Sequence, residues 1–242
     1  MRKLCVLGLV LVFAASASAS TVYIDDNFES YADTAAMQAV WGSDGLGTLD
    51  TAMGLSPTNC MAHPAGTDNI IALGADLIPS DAEPVVLSGA IYDDAAGNKR
   101  FTIGMRSLST FPLFEMGMYN SLAGENYYAR VSTFPGANPS WMAMPGSIPA
   151  TAGWHMWEAT FTASAVTVTL DILSDGTIDS TLVVPLSGDY TTGLGAVRLG
   201  GPSSLSSAGG GGFFDDIYLA QVPEPASLAL LALGGLALIR RR

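Results

Sequence analysis

The chain alternates apolar and polar residues without a break along Val166-Thr167-Val168-Thr169-Leu170-Asp171-Ile172. Successive side chains of an extended chain point to opposite faces, so the Val, Leu and Ile side chains share one face and the Thr and Asp side chains share the other. This period of two predicts a β-strand with one face in a hydrophobic core and the other face in solvent.

Eight other runs of apolar, β-branched or aromatic residues predict further strands, because Gly, Pro, Asn, Asp and Ser clusters separate them. These runs are residues 85–92, 101–106, 113–119, 127–132, 155–162, 182–185, 196–199 and 213–219. Residues 34–41 predict a helix of about two turns with Asp33 as its N-cap. Residues 43–67, 132–153 and 209–212 are predicted as loops from their Gly and Pro content. Nine or ten strands in one chain indicate an all-β fold of the β-sandwich class.

The first nineteen residues have the composition of a cleaved secretory signal. Two basic residues follow Met1, residues 4–14 are apolar, and residues 15–19 alternate Ala and Ser as a small-residue cleavage site. We expect cleavage after Ala19, with Ala17 as the alternative position. The three features occur together, which favours a signal peptide over a buried N-terminal helix.

The C-terminal residues 222–242 combine three unlike features in a fixed order. Val222-Pro223-Glu224-Pro225 is followed by an apolar run at 226–239 and then by Arg240-Arg241-Arg242. As a helix, the run would be about 21 Å long against a hydrocarbon core of about 30 Å, so it suits a temporary span better than a permanent one. The positive-inside bias would hold the arginines on the cytoplasmic side and leave the folded domain outside.

Pro-Glu-Pro, an apolar helix and a closing arginine cluster together resemble the PEP-CTERM sorting signal of Gram-negative-type bacteria. The resemblance implies that the export machinery moves the domain out of the cytoplasm and that an exosortase-type membrane protease then removes the tail. It implies a protein of the cell surface, the outer envelope or the extracellular space, anchored for a time by its C-terminal transmembrane helix. The alternative is an ordinary anchor helix that is never cut.

Residues 20–221 lie between these two ends and suffice for one domain with a sizeable core. The two ends hold five of the ten Lys and Arg residues and one of the 22 acidic residues, so five cations and 21 acids give the domain a net charge of −16. The negative electrostatic field of such a domain repels nucleic acid and excludes it as a partner. Cys60 is the only cysteine of this segment, so no intrachain disulfide can form.

Four segments together resemble a concanavalin A-like, laminin-G-like jelly roll: Ile24-Asp25-Asp26-Asn27-Phe28-Glu29-Ser30-Tyr31 and residues 101–106, 153–157 and 214–219. The resemblance implies two packed sheets whose first and last strands are neighbours. The same fold carries laminarinase-type glycosidases, whose active strand has the motif Glu-x-Asp-x-x-Glu. No strand of this sequence supplies two carboxylates about 5 Å apart, as a retaining glycosidase requires. We therefore expect a protein that is not an enzyme.

Two predicted strands each turn one carboxylate toward their apolar side. Asp26 shares a side with Val22, Ile24 and Phe28, and Asp215 shares a side with Phe213, Ile217 and Leu219. Partly buried carboxylates on neighbouring strands are costly unless a cation or strong hydrogen bonds compensate. Asp26, Glu29 and Asp215 are therefore the predicted ligands of a structural Ca²⁺, which takes six to eight oxygen ligands. The alternative is that these acids accept hydrogen bonds from backbone amides or cap loops.

Three aromatic residues are candidate platforms for a sugar ring: Trp141, in a predicted loop between two prolines, and the adjacent pair Tyr127 and Tyr128. The alternative is burial, since one member of an adjacent tyrosine pair normally faces the core. The resulting hypothesis is a structural or adhesive protein of the cell surface or extracellular matrix. The second candidate is a carbohydrate-binding module for extracellular polysaccharide, and the third is an unrecognised glycan hydrolase.

Overall fold

The computed structural model describes residues 19–64, 66–97, 99–109, 112–119, 126–188, 190, 193–201 and 211–223. The predicted signal helix and the predicted tail helix both lie outside these ranges. Within the described ranges, no helix is long and apolar enough to cross a bilayer.

Two antiparallel sheets carry nearly all of the regular structure. The strands are β1 (Thr21–Asp26), β2 (Thr48–Asp50), β3 (Cys60–His63), β4 (Asp68–Leu77), β5 (Val85–Asp93), β6 (Arg100–Arg106), β7 (Leu113–Tyr119), β8 (Tyr127–Ser132), β9 (Trp141–Ala143), β10 (Gly153–Phe161), β11 (Ala165–Asp171), β12 (Ser180–Pro185), β13 (Leu194–Gly200) and β14 (Gly212–Gln221). The eight-stranded sheet has the order β12-β11-β10-β5-β14-β3-β2, with β1 also paired to β14. The six-stranded sheet has the order β4-β13-β6-β7-β8-β9. The prediction of an all-β sandwich of the jelly-roll type is confirmed.

The core lies between the two sheets and follows the alternation in the sequence. Val166, Val168 and Leu170 of β11 are fully buried, as are Trp157 and its alternating neighbours on β10. The facing sheet contributes the inward side chains of β6 and β7. Phe101 of one sheet and Phe214 of the other stack with ring centroids 4.0 Å apart, which closes the core between the sheets.

The single α-helix of the described residues, α1 (Thr34–Trp41), begins and ends where the sequence predicts. The Asp33 carboxylate accepts a hydrogen bond from the Ala36 amide at 2.8 Å and so caps the helix N-terminus. Met37 and Trp41 are fully buried, which fixes the helix against the sandwich.

The prediction that residues 43–67 and 132–153 are loops is wrong at three places. β2, β3 and β9 lie inside these segments and have three or four residues each, too few to show a period of two. β4 also has no signal in the sequence, because Gly74, at a φ of 80°, interrupts its alternation.

Candidate functional site

The outward face of the six-stranded sheet carries a row of polar residues at one register. Cross-strand pairing aligns Arg198 of β13 with Gly104 of β6, Gly104 with Glu115 of β7, Glu115 with Arg130 of β8, and Arg130 with Trp141 of β9. The neighbours of these residues along each strand face the core, so these five face outward. We call this set the polar row.

Gly104 makes the central contact of the polar row possible. A Cβ atom at this position would lie 2.5 Å from the Phe114 carbonyl oxygen and 3.2 Å from Cγ of Arg198. Without that atom, the Arg198 side chain crosses the strand, and its Nη1 lies 2.5 Å from Oε1 of Glu115. Glu115 is fully buried and Arg198 is 2% exposed, so this ion pair is largely removed from water.

Two further charges surround that pair. Arg198 also forms an ion pair with Asp68 at the start of β4, and Nη1 of Arg130 lies 3.7 Å from Oε2 of Glu115. Glu115 therefore lies between two guanidinium groups, and Arg198 lies between two carboxylates. A buried charge is tolerated when it is paired in this way, and removing one partner is costly.

The polar row ends in an aromatic cluster at the sheet edge. The Trp141 and Tyr119 rings stack with centroids 4.4 Å apart and an interplanar angle of 19°. The guanidinium carbon of Arg130 lies 5.8 Å from the Trp141 ring, and Tyr128 meets Tyr119 edge to face at 5.9 Å. Trp141 is half-buried, so part of its indole remains open to solvent beside Arg130.

The predicted tyrosine pair is divided between the two faces of β8. Tyr128 lies on the outward face but is only 6% exposed, whereas Tyr127 is 1% exposed and points into the core. The Tyr127 hydroxyl donates to Oδ2 of Asp93 at 3.0 Å and accepts from the Thr151 amide at 3.1 Å. Tyr127 is therefore not available to a ligand in this structure, for the reason that adjacent strand residues must face opposite ways.

His155 belongs to the same buried network as Tyr127. Its Nδ1 accepts a hydrogen bond from the Leu173 amide at 3.0 Å, so Nε2 carries the proton and donates to the Thr151 carbonyl at 2.8 Å. Burial lowers the pKa of His155 and raises the pKa of Asp93. These contacts describe a neutral histidine that supports the fold.

Asp26 links β1 to the helix. Its Oδ1 accepts from the Phe28 amide at 2.8 Å, and its Oδ2 accepts from the Tyr31 hydroxyl at 2.5 Å and from the Trp41 indole at 2.7 Å. Both carboxylate oxygens are thus committed to this network. Asp26 does not join the other two predicted calcium ligands.

Glu29 and Asp215 both hold one loop, residues 51–58, which we call the covering loop. Oε1 of Glu29 accepts from the Thr58 and Asn59 amides at 2.9 and 2.6 Å. Oδ2 of Asp215 accepts from the Leu55 amide at 2.7 Å, and burial raises the pKa of Asp215 to about 7. All three acids therefore accept from backbone amides, as the alternative interpretation predicts. Among the residues with described positions, no group of three or more His, Cys, Asp or Glu side chains is arranged to hold a metal ion.

Asp215 lies on the same side of β14 as Phe213, as predicted, but not on the same side as Ile217 and Leu219. The register of β14 shifts between Asp215 and Tyr218, and Asp216 has a φ of 49° at this bulge. One extra residue exchanges the two faces of a strand, so Ile217 and Leu219 face the core with Phe214, while Asp215 and Phe213 point outward. The covering loop lies over Asp215 and explains its complete burial.

The domain's two ends meet at one place. Thr21 of β1 pairs with Gln221 of β14, as expected for neighbouring first and last strands. Val222 and Pro223 are described and follow β14 directly, whereas Glu224, Pro225, Arg240, Arg241 and Arg242 lie outside the described residues. Ala19 is exposed and lies two residues before the start of β1, and Ala17 lies outside the described ranges, so cleavage of the signal stays a prediction.

Residues 221–242 match the PEP-CTERM protein-sorting motif. This motif implies an exported protein with a C-terminal membrane-anchoring sorting signal. No curated protein matches the chain.

Several solved structures share the fold at low sequence identity. The cellulose-induced protein Cip1 has a TM-score of 0.50 and 18% identity over 81% of this chain and 96% of that one. A GH54 arabinofuranosidase has a TM-score of 0.49 and 12% identity over 75% of this chain, which spans 41% of the enzyme. The VIP36 exoplasmic/lumenal domain, solved with Ca²⁺ and mannose, has a TM-score of 0.46 and 8% identity over 72% of this chain and 82% of that one. At these identities the likeness concerns the fold alone. The chain thus joins an antiparallel β-sandwich to a PEP-CTERM protein-sorting motif.

Proposed function

We propose that this protein is an exosortase-sorted protein of the cell surface or extracellular matrix, with a structural or adhesive role exerted by binding extracellular polysaccharide. The observation that carries the proposal is the outward face of the six-stranded sheet, where the polar row ends at the partly open Trp141. Sugar sites combine an aromatic surface with a few fixed polar groups. Trp141, backed by Tyr119, supplies the surface, and Arg130 supplies hydrogen-bond donors.

The buried charges of the polar row would act as positioning residues. Glu115 and Arg198 are too buried to meet a polymer, but Glu115 lies beside the Arg130 guanidinium and orients it toward Trp141. The side chain of Arg130 is 18% exposed, so it can donate to a ligand hydroxyl. The net charge of −16 for residues 20–221 disfavours a polyanionic ligand, so the polysaccharide class is neutral.

Binding of the purified domain to a panel of neutral polysaccharides tests this proposal. Trp141→Ala should abolish retention on the polymer that binds. Trp154→Ala is the matched control, because it removes a half-buried tryptophan from the eight-stranded sheet. If both variants lose retention equally, or if Trp141→Ala loses none, the polar row is not the polysaccharide-binding site.

A hydrolase would need catalytic carboxylates on the same face of the six-stranded sheet. In the described part of the polar row and its ion pairs, the carboxylates are Glu115 and Asp68, and both are engaged by Arg198. A glycosidase would release reducing ends from the bound polymer and lose this activity in Glu115→Gln. We propose binding without hydrolysis, so polymer length should not change on incubation.

A structural Ca²⁺ stays a prediction. The side chains around the covering loop offer oxygen ligands, which is the donor chemistry that Ca²⁺ takes. Burial raises the pKa of Asp216, and the charges of Asp25 and Glu29 raise it further. These three side chains are not arranged as a metal site within the described residues, so a Ca²⁺ near Glu29, Asp215 and Asp216 would need loop carbonyl oxygens as further ligands, and Asp26 would take no part.

A further inference from the structure

The sorting motif begins inside the folded domain. The matched motif starts at residue 221, and Gln221 is the last residue of β14. Its backbone pairs with Val85 on one side and with Thr21 on the other. The next amide, that of Val222, donates to the Pro84 carbonyl at 2.8 Å. The folded structure therefore extends to the residue immediately before Pro223.

The end of β14 is held by side chains as well as by the backbone. The Gln221 side-chain amide donates to the Glu83 carbonyl at 3.3 Å, and Leu219 and Ala220 are fully buried. We call the contacts of Gln221 and Val222 with Thr21 and Pro84 the strand clamp. Opening it exposes backbone groups that are paired on both sides, so the segment immediately before Pro223 is not a free linker.

A protease binds its substrate as an extended segment without competing backbone pairs. Cleavage within a folded protein therefore proceeds through the population that has opened locally. Pro223 directly follows Val222, whose amide is hydrogen-bonded to Pro84, so the residues on the N-terminal side of a cut at Pro-Glu-Pro belong to the strand clamp.

We propose that the folded domain restrains removal of its own tail, because the strand clamp must open before a membrane protease can bind the segment around Pro223. The inference rests on the proposed function, in which the tail is removed. The end of the sandwich formed by Thr21, Pro84 and Gln221 would then face the processing protease. Its opening would set the rate at which the tail is released.

A reversible cross-link tests the restraint in the full chain. Thr21 and Gln221 are direct cross-strand partners, so the double variant Thr21→Cys and Gln221→Cys can form a disulfide that holds the clamp shut. The matched control is Thr169→Cys with Thr181→Cys, a partner pair on β11 and β12. Cys60 is fully buried and does not compete. The readout is the fraction of chains with a trimmed C-terminus over time, measured by mass spectrometry in the native envelope.

The oxidised clamp variant should be trimmed about tenfold more slowly than the control pair, because the link removes the frayed states, and reductant should restore the rate. A second variant, with about six Gly and Ser residues inserted between Val222 and Pro223, should be trimmed faster than the natural chain. Equal rates in the clamp and control pairs would overturn the inference while leaving the proposed function intact. Absence of trimming in every variant and in the natural chain would overturn the proposed function itself.

Discussion

Nη1 of Arg198 lies 2.5 Å from Oε1 of Glu115, although the strand that carries Gly104 runs between their two strands. The contact exists because a glycine occupies the position between them. It places a fully buried carboxylate at the centre of the outward face of the six-stranded sheet and connects two arginines to the aromatic cluster at Trp141.

Gly104→Ala should therefore destabilise the protein. The added Cβ would lie 2.5 Å from the Phe114 carbonyl oxygen, and the backbone cannot yield as a flexible side chain would. We expect a loss of about 2–3 kcal/mol in the free energy of unfolding, measured in urea, as for other overpacked sites. Gly97→Ala is the control, since nothing lies within 4 Å of its added Cβ. Equal stability of the two variants would contradict the close packing at Gly104.

Removing one charge of the central pair should cost more than removing both. Glu115→Gln leaves the Arg198 guanidinium buried beside a neutral amide, and we expect a loss of about 3–5 kcal/mol in the free energy of unfolding. The double variant Glu115→Met with Arg198→Met should recover much of that loss. A double variant that is no more stable than Glu115→Gln would contradict the claim that the cost comes from the unpaired Arg198 charge.

Acid should destabilise the folded state through His63. Burial lowers the pKa of His63 to about 4 from its ordinary 6.5. Between these two pH values the histidine is protonated in the unfolded chain and neutral in the folded chain. Stability from this group is present above pH 6.5 and is lost as the pH falls toward 4, by about 3 kcal/mol in all. His63→Phe should flatten the decrease in the free energy of unfolding between pH 6.5 and 4.5.

Asp215 should act in the opposite direction over the same range. Burial raises the pKa of Asp215 to about 7, so its contribution is fully present below its unfolded pKa near 3.8 and is lost as the pH rises through 7. Comparing His63→Phe with the natural chain at each pH isolates the histidine, because Asp215 is unchanged in both. An unchanged pH slope in the variant would contradict the assignment to His63.

Calcium should raise the melting temperature of the apo domain, and EDTA should lower that of the domain as isolated. Occupation of the covering loop would neutralise the repulsion among Glu29, Asp215 and Asp216. Glu29→Gln should remove the calcium response, whereas Asp26→Asn should lower the melting temperature and keep the response. If neither calcium nor EDTA changes the melting temperature of the natural domain, the metal hypothesis fails.

The long strands and the helix could be predicted because their patterns are local. β11 alternates over seven residues, and α1 carries both its cap and its helix-forming alanines. The three-residue strands β2 and β9 could not be predicted, because they are fixed by pairing with β3 and β8 and not by their own pattern. The β14 bulge at Asp216 could not be predicted, because no glycine marks the position of positive φ. The sequence therefore could not show that Ile217 and Leu219 face the side opposite to Asp215.

The candidate site was predicted in part. Trp141 and Tyr128 lie on the outward face of the six-stranded sheet, and Tyr127 lies in the core. Glu115, Arg130 and Arg198 were missed, because residues far apart in the chain form the polar row only through cross-strand register. A weak signal existed: Glu115 is a charged residue inside a predicted strand, and such a residue needs a partner.

Mass spectrometry of both termini, on protein recovered from its native envelope and medium, tests the central claim most directly. The account predicts a chain that begins at Ser20 and ends near Pro223-Glu224-Pro225. An intact C-terminus reaching Arg242 in the membrane fraction would contradict it and make the tail a permanent anchor.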